Sequence, residues 1–239
     1  MTEQIAARIS ELDARLRAAE HQYGREPGGV RLLAVSKRHP PPAIRAAHAA
    51  GQHAFGENYL QEAGEKQERL GDLDIEWHFV GGLQSNKTRE VAERFHWVHT
   101  IDRTKIARRL SEHRPPGLPP LSVCLQINIS EEPQKAGCPP EEAEALAAAV
   151  AELPRLRLRG LMAIPAPAEG VAEQRRPFAR LRELQERLQG LGHDLDTLSM
   201  GMSGDLEAAI AEGSTLVRIG TAVFGPREPE TQEEECHGP

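Results

Sequence analysis

The spacing of apolar residues along this chain switches repeatedly between the period of a strand and the period of a helix. Eight short apolar or β-branched runs are typical of strands: residues 31–36, 53–55, 76–80, 97–100, 121–127, 156–162, 196–198 and 215–219. Segments with helical spacing lie between them, at residues 42–50, 86–95, 103–112, 141–153, 178–188 and 206–211. This alternation predicts a parallel sheet, because consecutive parallel strands need a crossover element between them.

Eight strand–helix repeats within 239 residues are typical of an α/β protein of the (β/α)8 TIM-type barrel class, which is the predicted fold. A doubly wound open sheet is the alternative, since it shows the same alternation. Ile5, Ile9 and Leu12 recur at helical spacing, so we expect an extra N-terminal helix over residues 3–21. We expect residues 1–227 to form the barrel and the acidic, polar residues 228–239 to form a disordered tail.

Charge and cysteine content exclude several classes of protein. The formal net charge is −7, so the chain has no overall basic field for nucleic acid or for an anionic membrane surface. No apolar stretch approaches the length of a bilayer-spanning helix, and the N-terminus lacks the apolar region of a signal peptide. Cys124, Cys138 and Cys236 are far apart, unlike the cysteines of metal sites and disulfide frameworks. We therefore expect a cytoplasmic protein with reduced thiols and no metal, nucleic-acid or membrane partner.

A lysine stands at the carboxyl end of the first predicted strand. Leu33, Val35 and Lys37 alternate along the chain and so share one face of that strand. A protein can desolvate an amine at this place and turn it into a nucleophile, which makes Lys37 a candidate Schiff-base lysine. The alternative is a lysine that closes the strand and turns into solvent.

Glycine-containing turns follow the last two predicted strands. Such turns expose backbone N–H groups that suit a phosphate, and barrels often bind phosphate after strands seven and eight. We expect Ser203 to cap a helix beginning near Gly204 and to offer a hydroxyl group. Gly220 and Thr221 would offer an amide and a second hydroxyl group. The alternative is a helix cap and a glycine turn without a ligand.

Arg218 lies inside the last apolar run, between Val217 and Ile219. Its guanidinium group does not lose its proton, so a buried position requires an acceptor. A neighbouring carboxylate would satisfy this requirement, and so would the ring nitrogen of a pyridoxal cofactor. One pyridoxal phosphate would explain Lys37, Arg218 and the two glycine turns together.

Seven segments resemble the pyridoxal phosphate homeostasis protein (YggS/PROSC) family. They are VSK (35–37), FGEN (55–58), WHFVGGLQSNK (77–87), INIS (127–130), RGLMAIP (159–165), SMGMSGDLEAAI (199–210) and GSTLVRIGTAVFG (213–225). The resemblance extends over nearly the whole chain, from residue 31 to residue 225. Members of this family are similar to the N-terminal barrel domain of fold-type III pyridoxal enzymes such as alanine racemase.

The resemblance implies that the cofactor is pyridoxal 5′-phosphate (PLP), held as a lysine aldimine with an arginine at its pyridine nitrogen. The cofactor-binding residues that it implies, anchor first, are Lys37, Asn58, His78, Met200, Ser203, Arg218, Gly220 and Thr221. The family's phosphate contacts fall on Ser203, Gly220 and Thr221. For His78 the alternative is a core histidine with satisfied hydrogen bonds, and for Met200 the alternative is simple packing.

The expected function is intracellular PLP (vitamin B6) homeostasis: the protein would hold the cofactor and hand it on, with apo PLP-dependent enzymes as recipients. It is expected to be a monomer and not an enzyme. A racemase needs bases on both faces of the substrate α-carbon, and in alanine racemase the second base comes from a second domain, which we expect to be absent here. Neither Tyr23 nor Tyr59 is placed by the sequence opposite Lys37.

Two enzymatic alternatives remain open from the sequence. The first is a weak amino-acid racemase of the alanine racemase type. The second is a class I aldolase, which would use the same lysine chemistry on a sugar phosphate. An aldolase requires an acid–base group beside Lys37, and the sequence offers no clear candidate for it.

Overall fold

All eight predicted strands are present and close into a barrel. The computed structural model describes residues 2–132 and 134–226. Each strand pairs in parallel with its neighbours in sequence, and the first pairs with the last, so the closed barrel is confirmed and the open sheet is excluded. The strands are β1 (Arg31–Val35), β2 (Ala54–Glu57), β3 (Glu76–Phe79), β4 (Trp97–Ile101), β5 (Leu121–Gln126), β6 (Leu156–Met162), β7 (Thr197–Ser199) and β8 (Leu216–Ile219).

A helix follows each strand, and one more precedes the first. The helices are α1 (Thr2–Gln22), α2 (Pro41–Ala49), α3 (Leu60–Arg69), α4 (Thr88–Arg94), α5 (Thr104–His113), α6 (Ala143–Ala151), α7 (Val171–Gly190), α8 (Leu206–Ala211) and α9 (Thr221–Phe224). Short 3₁₀ turns precede α4 and α6, at Ser85–Lys87 and Pro140–Glu142. The predicted extra N-terminal helix is confirmed, and it buries Ile5, Leu12 and Leu16 against the barrel.

Helix α3 and the first turns of α7 lack an apolar period and are absent from the predicted helices. Helix α3 buries Ala63, Gly64 and Lys66, none of which is a large apolar residue. Helix α7 starts ahead of residue 178, where its prediction begins, and contains Pro177. A proline removes one helical hydrogen bond, and here the surrounding turns of the helix tolerate that loss.

The strands separate an interior core from a larger core beneath the helices. Leu33, Ala54, Val80 and Leu216 form one interior cluster. Trp97, Cys124 and Met162 form a second interior cluster. Alternate residues of the same strands, such as Ala34, Val98 and Val217, pack against the helices in the larger core. The direction of a strand side chain therefore decides whether it faces the barrel interior or the helices.

The thiols of Cys124 and Cys138 are both buried and unpaired, and burial raises the pKa of each to about 12. Across residues 2–132 and 134–226, no group of three His, Cys, Asp or Glu side chains could hold a metal ion. None of the helices in these two ranges combines the length and the apolar character that crossing a bilayer requires. Cys236 and the predicted tail, residues 228–239, lie outside the described residues.

At Gly160, β6 lies so close to the backbone of β7 that no side chain fits between them. A Cβ atom there would lie 1.7 Å from the carbonyl oxygen of Thr197, a paired strand residue. We therefore expect Gly160→Ala to lower the free energy of unfolding by roughly 3 kcal/mol. Chemical denaturation of the apoprotein measures this change.

The matched control is Gly190→Ala at the end of α7, because a Cβ atom there meets nothing within 4 Å. We expect this control to stay within about 0.5 kcal/mol of the parent protein. Equal stability of the two variants would contradict the packing of β6 against β7.

Candidate functional site

A cavity of about 310 Å³ opens at the carboxyl ends of the strands. Six of the eight predicted cofactor-binding residues line it. The complete lining is Val35, Lys37, His39, Asn58, Val80, Ile164, Met202, Ser203, Gly204, Arg218, Gly220 and Thr221. A larger groove of about 720 Å³ lies between α1 and the start of β1, at the other end of the barrel, and none of the predicted residues lines it. Chemistry in (β/α)8 barrels belongs to the carboxyl ends of the strands, so the smaller cavity is the candidate site.

Lys37 lies two residues after the end of β1 and continues the face of Leu33 and Val35. The next residue, Arg38, has φ of 62°, a left-handed conformation that L-residues adopt infrequently. The chain therefore turns sharply immediately after the lysine, and the lysine side chain enters the cavity at the end of the strand.

A buried ion pair on the helix side of the barrel holds the backbone beside Lys37. The Glu57 carboxylate accepts hydrogen bonds from Ser36 Oγ at 2.5 Å and from Lys66 Nζ at 2.7 Å. Lys66 Nζ also donates to the Ser36 carbonyl oxygen at 2.7 Å and to Glu62 at 2.6 Å. The hydroxyl group and the carbonyl oxygen of Ser36, the residue before Lys37, are thereby tied to one pair of charges.

Burial raises the pKa of Glu57 above its usual value, and attraction to the Lys66 ammonium opposes that shift. One Glu57 oxygen, Oε2, is buried with no hydrogen-bond partner among the described residues. The charge on this carboxylate therefore depends on Lys66.

Arg218 is nearly buried, and its charge is satisfied by neutral oxygens. Nη1 donates to the carbonyl oxygen of Ser199 at 2.5 Å and to its Oγ at 2.8 Å, and Nη2 donates to the carbonyl oxygen of Ala163 at 2.9 Å. Within the described parts of the chain, no carboxylate forms a hydrogen bond or an ion pair with it, so the alternative of a neighbouring carboxylate partner is not found. Burial lowers the pKa of Arg218 to about 10, which leaves the side chain a cation at neutral pH.

Asn58 presents an unsatisfied acceptor at the cavity. Its Oδ1 is buried and has no hydrogen-bond partner in residues 2–132 or 134–226. Gly81 makes this position possible, because a Cβ atom there would lie 2.1 Å from the carbonyl oxygen of Asn58. A buried acceptor without a donor is costly, so the geometry favours a ligand that donates to it.

The two glycine-containing turns both reach the cavity. Ser203 and Gly204 line it after β7, and Gly220 and Thr221 line it after β8. A Cβ atom on Gly204 would meet no atom within 4 Å, so the surface beside the turn is open. Two hydroxyl groups and two small residues thus border the same space as the two cations.

The prediction that Ser203 caps the following helix is wrong. Helix α8 begins at Leu206, and Asp205 is the residue before it. The Asp205 carboxylate accepts a hydrogen bond from the Met202 N–H at 2.6 Å and so closes the turn over Ser203. Ser203 is therefore two residues before the N-cap position of α8, and it lines the cavity.

His78 and Met200 do not line the cavity. His78 lies in β3, fully buried, and forms hydrogen bonds to His99 at 2.8 Å and to Glu76 at 2.7 Å. This arrangement matches the alternative of a core histidine with satisfied hydrogen bonds. Met200 is fully buried in the core beneath the helices. Contact of these two residues with a cofactor remains a prediction.

Sequence reasoning missed several lining residues. His39 is the most informative, since its ring stacks on Phe224 at a centroid distance of 4.7 Å and it is nearly buried. Its position two residues after Lys37 was the available signal. Ile164 and Met202, each 42% exposed, come from loops whose conformation no local pattern predicts.

The closed parallel barrel and the lysine at the end of β1 define the class of protein. Residues 8–228 match the family model described as alanine racemase, N-terminal domain. The chain is thus a (β/α)8 barrel of the fold-type III class.

Within that class, the chain belongs to the pyridoxal phosphate homeostasis protein family. It is 62% identical to the pyridoxal phosphate homeostasis protein of Pseudomonas aeruginosa over 224 residues, which cover 94% of this chain and 96% of that protein. It is 54% identical to the protein of the same name from Escherichia coli K12 over 230 residues, 94% of this chain and 97% of that one. The structure of PipY from Synechococcus elongatus with PLP bound is similar, with a TM-score of 0.81, 40% identity and coverage of 92% of this chain and 100% of that one.

Lys66→Met tests whether the buried ion pair supports the lysine-bearing loop. The substitution leaves the Glu57 carboxylate buried without its counter-ion, so we expect a loss of about 3–5 kcal/mol in the free energy of unfolding near neutral pH. A carboxyl group whose pKa is raised on folding destabilises the native state more as pH rises above its unfolded pKa. The deficit should therefore shrink as pH is lowered from about 8 to about 5.5, as measured by urea denaturation.

The control for this prediction is the double variant Glu57→Gln/Lys66→Met. It has no carboxylate at position 57, so we expect it to recover most of the stability and to lose the pH dependence of the deficit. A deficit in Lys66→Met that is independent of pH would contradict the assignment.

Proposed function

We propose that this protein binds PLP covalently through Lys37 and serves in PLP homeostasis. The observation that carries the proposal is the cavity at the carboxyl ends of the strands, where Lys37, Arg218 and the two glycine-containing turns meet. When bound, PLP supplies an aldehyde with which a lysine amine condenses reversibly. The names of the P. aeruginosa and E. coli relatives and the PLP-bound PipY structure support this assignment.

The charges of the cavity suit a phosphorylated aldehyde. Lys37 and Arg218 are basic side chains, and no Asp or Glu side chain is present in the cavity lining formed by the described residues. The hydroxyl groups of Ser203 and Thr221 and the backbone at Gly220 would hold the phosphate. We place residues 1–227 in this single cofactor-binding unit.

Arg218 would face the ring nitrogen of the cofactor. A guanidinium has five N–H donors and no acceptor, and Arg218 makes three hydrogen bonds to Ser199 and Ala163. Donors that remain can reach a ligand acceptor, so the ring nitrogen would stay unprotonated beside this cation. A neutral ring withdraws electrons less strongly, which disfavours carbanion chemistry. Asn58 Oδ1 would accept a hydrogen bond from the same ligand.

We propose that the protein turns over amino acids slightly or not at all. Racemisation requires bases on both faces of the α-carbon. The side chains lining the cavity offer Lys37 and His39 as potential bases, and both come from the loop after β1. Tyr59 is half-exposed and is not part of that lining. The function would then be to hold PLP and pass it to apo PLP-dependent enzymes, with a weak amino-acid racemase as the second candidate.

Lys37→Ala should abolish the visible absorption band of the protein incubated with PLP. It should also remove the PLP label that borohydride fixes on the peptide containing this residue. Peptide mass spectrometry after reduction measures the label. Lys105→Ala, which removes an exposed lysine of α5, should leave both signals unchanged. Labelling of a different lysine in the parent protein would contradict the anchor, and a colourless parent protein would contradict PLP binding.

Deuterium incorporation distinguishes the two candidate functions. PLP-loaded protein incubated with L-alanine in deuterated water should leave the α-hydrogen in place over hours, because an unprotonated cofactor ring beside Arg218 would stabilise an α-carbanion poorly. Proton NMR of the amino acid measures the exchange. Alanine racemase in the same buffer serves as the positive control. D-alanine formation at a rate comparable to the control would establish the racemase, and α-hydrogen exchange at such a rate would overturn the binding function without turnover.

A further inference from the structure

A continuous chain of hydrogen-bonded side chains crosses the barrel interior below the candidate site. Arg218 Nη1 lies 2.8 Å from Ser199 Oγ, which lies 2.8 Å from Nδ1 of His99. Nε2 of His99 lies 2.8 Å from Nδ1 of His78. Nε2 of His78 lies 2.7 Å from the Glu76 carboxylate. The chain passes from β8 and β7 across the interior to β4 and β3.

This chain joins the two ends of the barrel. Ser199, His99 and His78 are all 0% exposed. Glu76 is the first residue of β3, at the opposite end from the cavity, and its side chain is 35% exposed and paired with Arg31 at 2.7 Å. The ring of His78 also stacks on Trp97 at 5.3 Å with an interplanar angle of 8°. Packing and hydrogen bonds together hold the rings in one orientation.

The two histidines are neutral. Burial lowers the pKa of His78 and lowers that of His99 further, and the attraction of Glu76 for a proton on His78 does not offset this. The charged and titratable groups that act on the two rings, from β1, the start of β4, β3 and β8, are Arg31, His96, Glu76 and Arg218. Arg31 and Arg218 are cations, and His96 can become one. Repulsion from these groups disfavours a positive charge on the rings of His78 and His99.

The hydrogen positions follow from the two ends of the hydrogen-bonded series, Glu76 and Arg218. Hydrogen bonding to His78 holds the pKa of Glu76 at about 2, so this carboxylate accepts, and His78 must carry its proton on Nε2. Nδ1 of His78 then accepts, so His99 carries its proton on Nε2 and accepts at Nδ1 from the Ser199 hydroxyl. Arg218 can only donate, so Ser199 Oγ must accept from it. Both ends require the same direction, and every group donates away from the cavity.

We propose that Glu76 is a positioning residue for Arg218, acting through His78, His99 and Ser199. The aligned hydrogen bonds polarise one another, which strengthens Ser199 Oγ as an acceptor and fixes the guanidinium. A carboxylate in direct contact would also neutralise Arg218, but it would take up the N–H groups that face the cavity. A carboxylate at the far end of a neutral chain holds the guanidinium and leaves those donors for a ligand.

The role of this chain in cofactor binding rests on the proposed function, whereas the chain itself can be measured in the protein without PLP. In apoprotein labelled with ¹⁵N-histidine, two-bond ¹H–¹⁵N NMR should show His78 and His99 as neutral Nε2–H tautomers from about pH 6 to about pH 8. In apoprotein labelled with ¹⁵N-arginine, the Arg218 Nη groups should give separate, slowly exchanging resonances. An Nδ1–H tautomer at either histidine would overturn the proposal.

Glu76→Gln keeps an oxygen acceptor for His78 and removes the negative charge. Because the Glu76 side chain is 35% exposed, we expect this variant to fold. We expect faster rotation of the Arg218 guanidinium in the apoprotein and a roughly threefold higher Kd for PLP. Ser199→Ala breaks the chain next to Arg218 and should raise this Kd about tenfold. A structural role alone would lower stability without changing the Arg218 resonances.

Two matched controls accompany these variants. His53→Gln changes an exposed histidine at the same end of the barrel as Glu76, and Ser111→Ala changes a buried serine on α5. Both should match the parent protein in Arg218 resonances and in PLP affinity. Unchanged resonances in Glu76→Gln would overturn the positioning role. If the parent protein failed to bind PLP, the proposed function would fail, and the tautomers and the Arg218 resonances would still decide whether Glu76 positions Arg218.

Discussion

A guanidinium ion that is buried in a barrel must be satisfied by acceptors, because it cannot lose its charge as a buried lysine or histidine can. Arg218 meets this requirement with two carbonyl oxygens and one hydroxyl oxygen. The hydroxyl oxygen is in turn supported by two imidazoles and a carboxylate. Ser199, His99, His78 and Glu76 are therefore linked to this one cation by hydrogen bonds, and the cation lines the cavity above them.

The second cation of the cavity is supported in a different way. Lys37 is held through its neighbour Ser36, which both members of the buried Glu57–Lys66 pair contact. That pair lies outside the barrel wall, between β2 and α3. In both cases the supporting carboxylate is kept out of the cavity. A carboxylate inside it would compete with an anionic ligand for the same cations.

The period of the apolar residues predicted eight parallel strands with helices between them, and this number favoured the barrel. Only the pairing of β1 with β8 in the structure excludes an open sheet. Helix α3 escaped prediction because it buries a lysine and two small residues in place of a hydrophobic stripe. Lys37 was identifiable because it stands at a strand end, Arg218 because a charged residue interrupts an apolar run, and Asn58 only from the family resemblance. The turn after β7 was mispredicted at Ser203 because helix α8 begins at Leu206 and not near Gly204, and the sequence alone does not fix the first residue of such a short helix.

His78 illustrates a further limit of sequence reasoning. Alternation indicates that a strand residue faces the interior, but it does not indicate how far along the barrel axis that residue lies. His78 faces inward in the body of β3, below the layer that lines the cavity. Its distance from the site could be read from the pairing of neighbouring strands and from its hydrogen bonds, both of which require the folded structure.

In (β/α)8 barrels, residues at the carboxyl ends of the strands usually form the functional site, whereas residues at the amino ends usually contribute to stability. The position of Glu76 blurs that division, since the first residue of β3 is joined to Arg218 by buried contacts. Replacing or shortening the part of the barrel at the amino ends of the strands would therefore also change the ligand site. The modular exchange of half-barrels, straightforward where the two ends are independent, requires here that the strands β3, β4, β7 and β8 be transferred as one set.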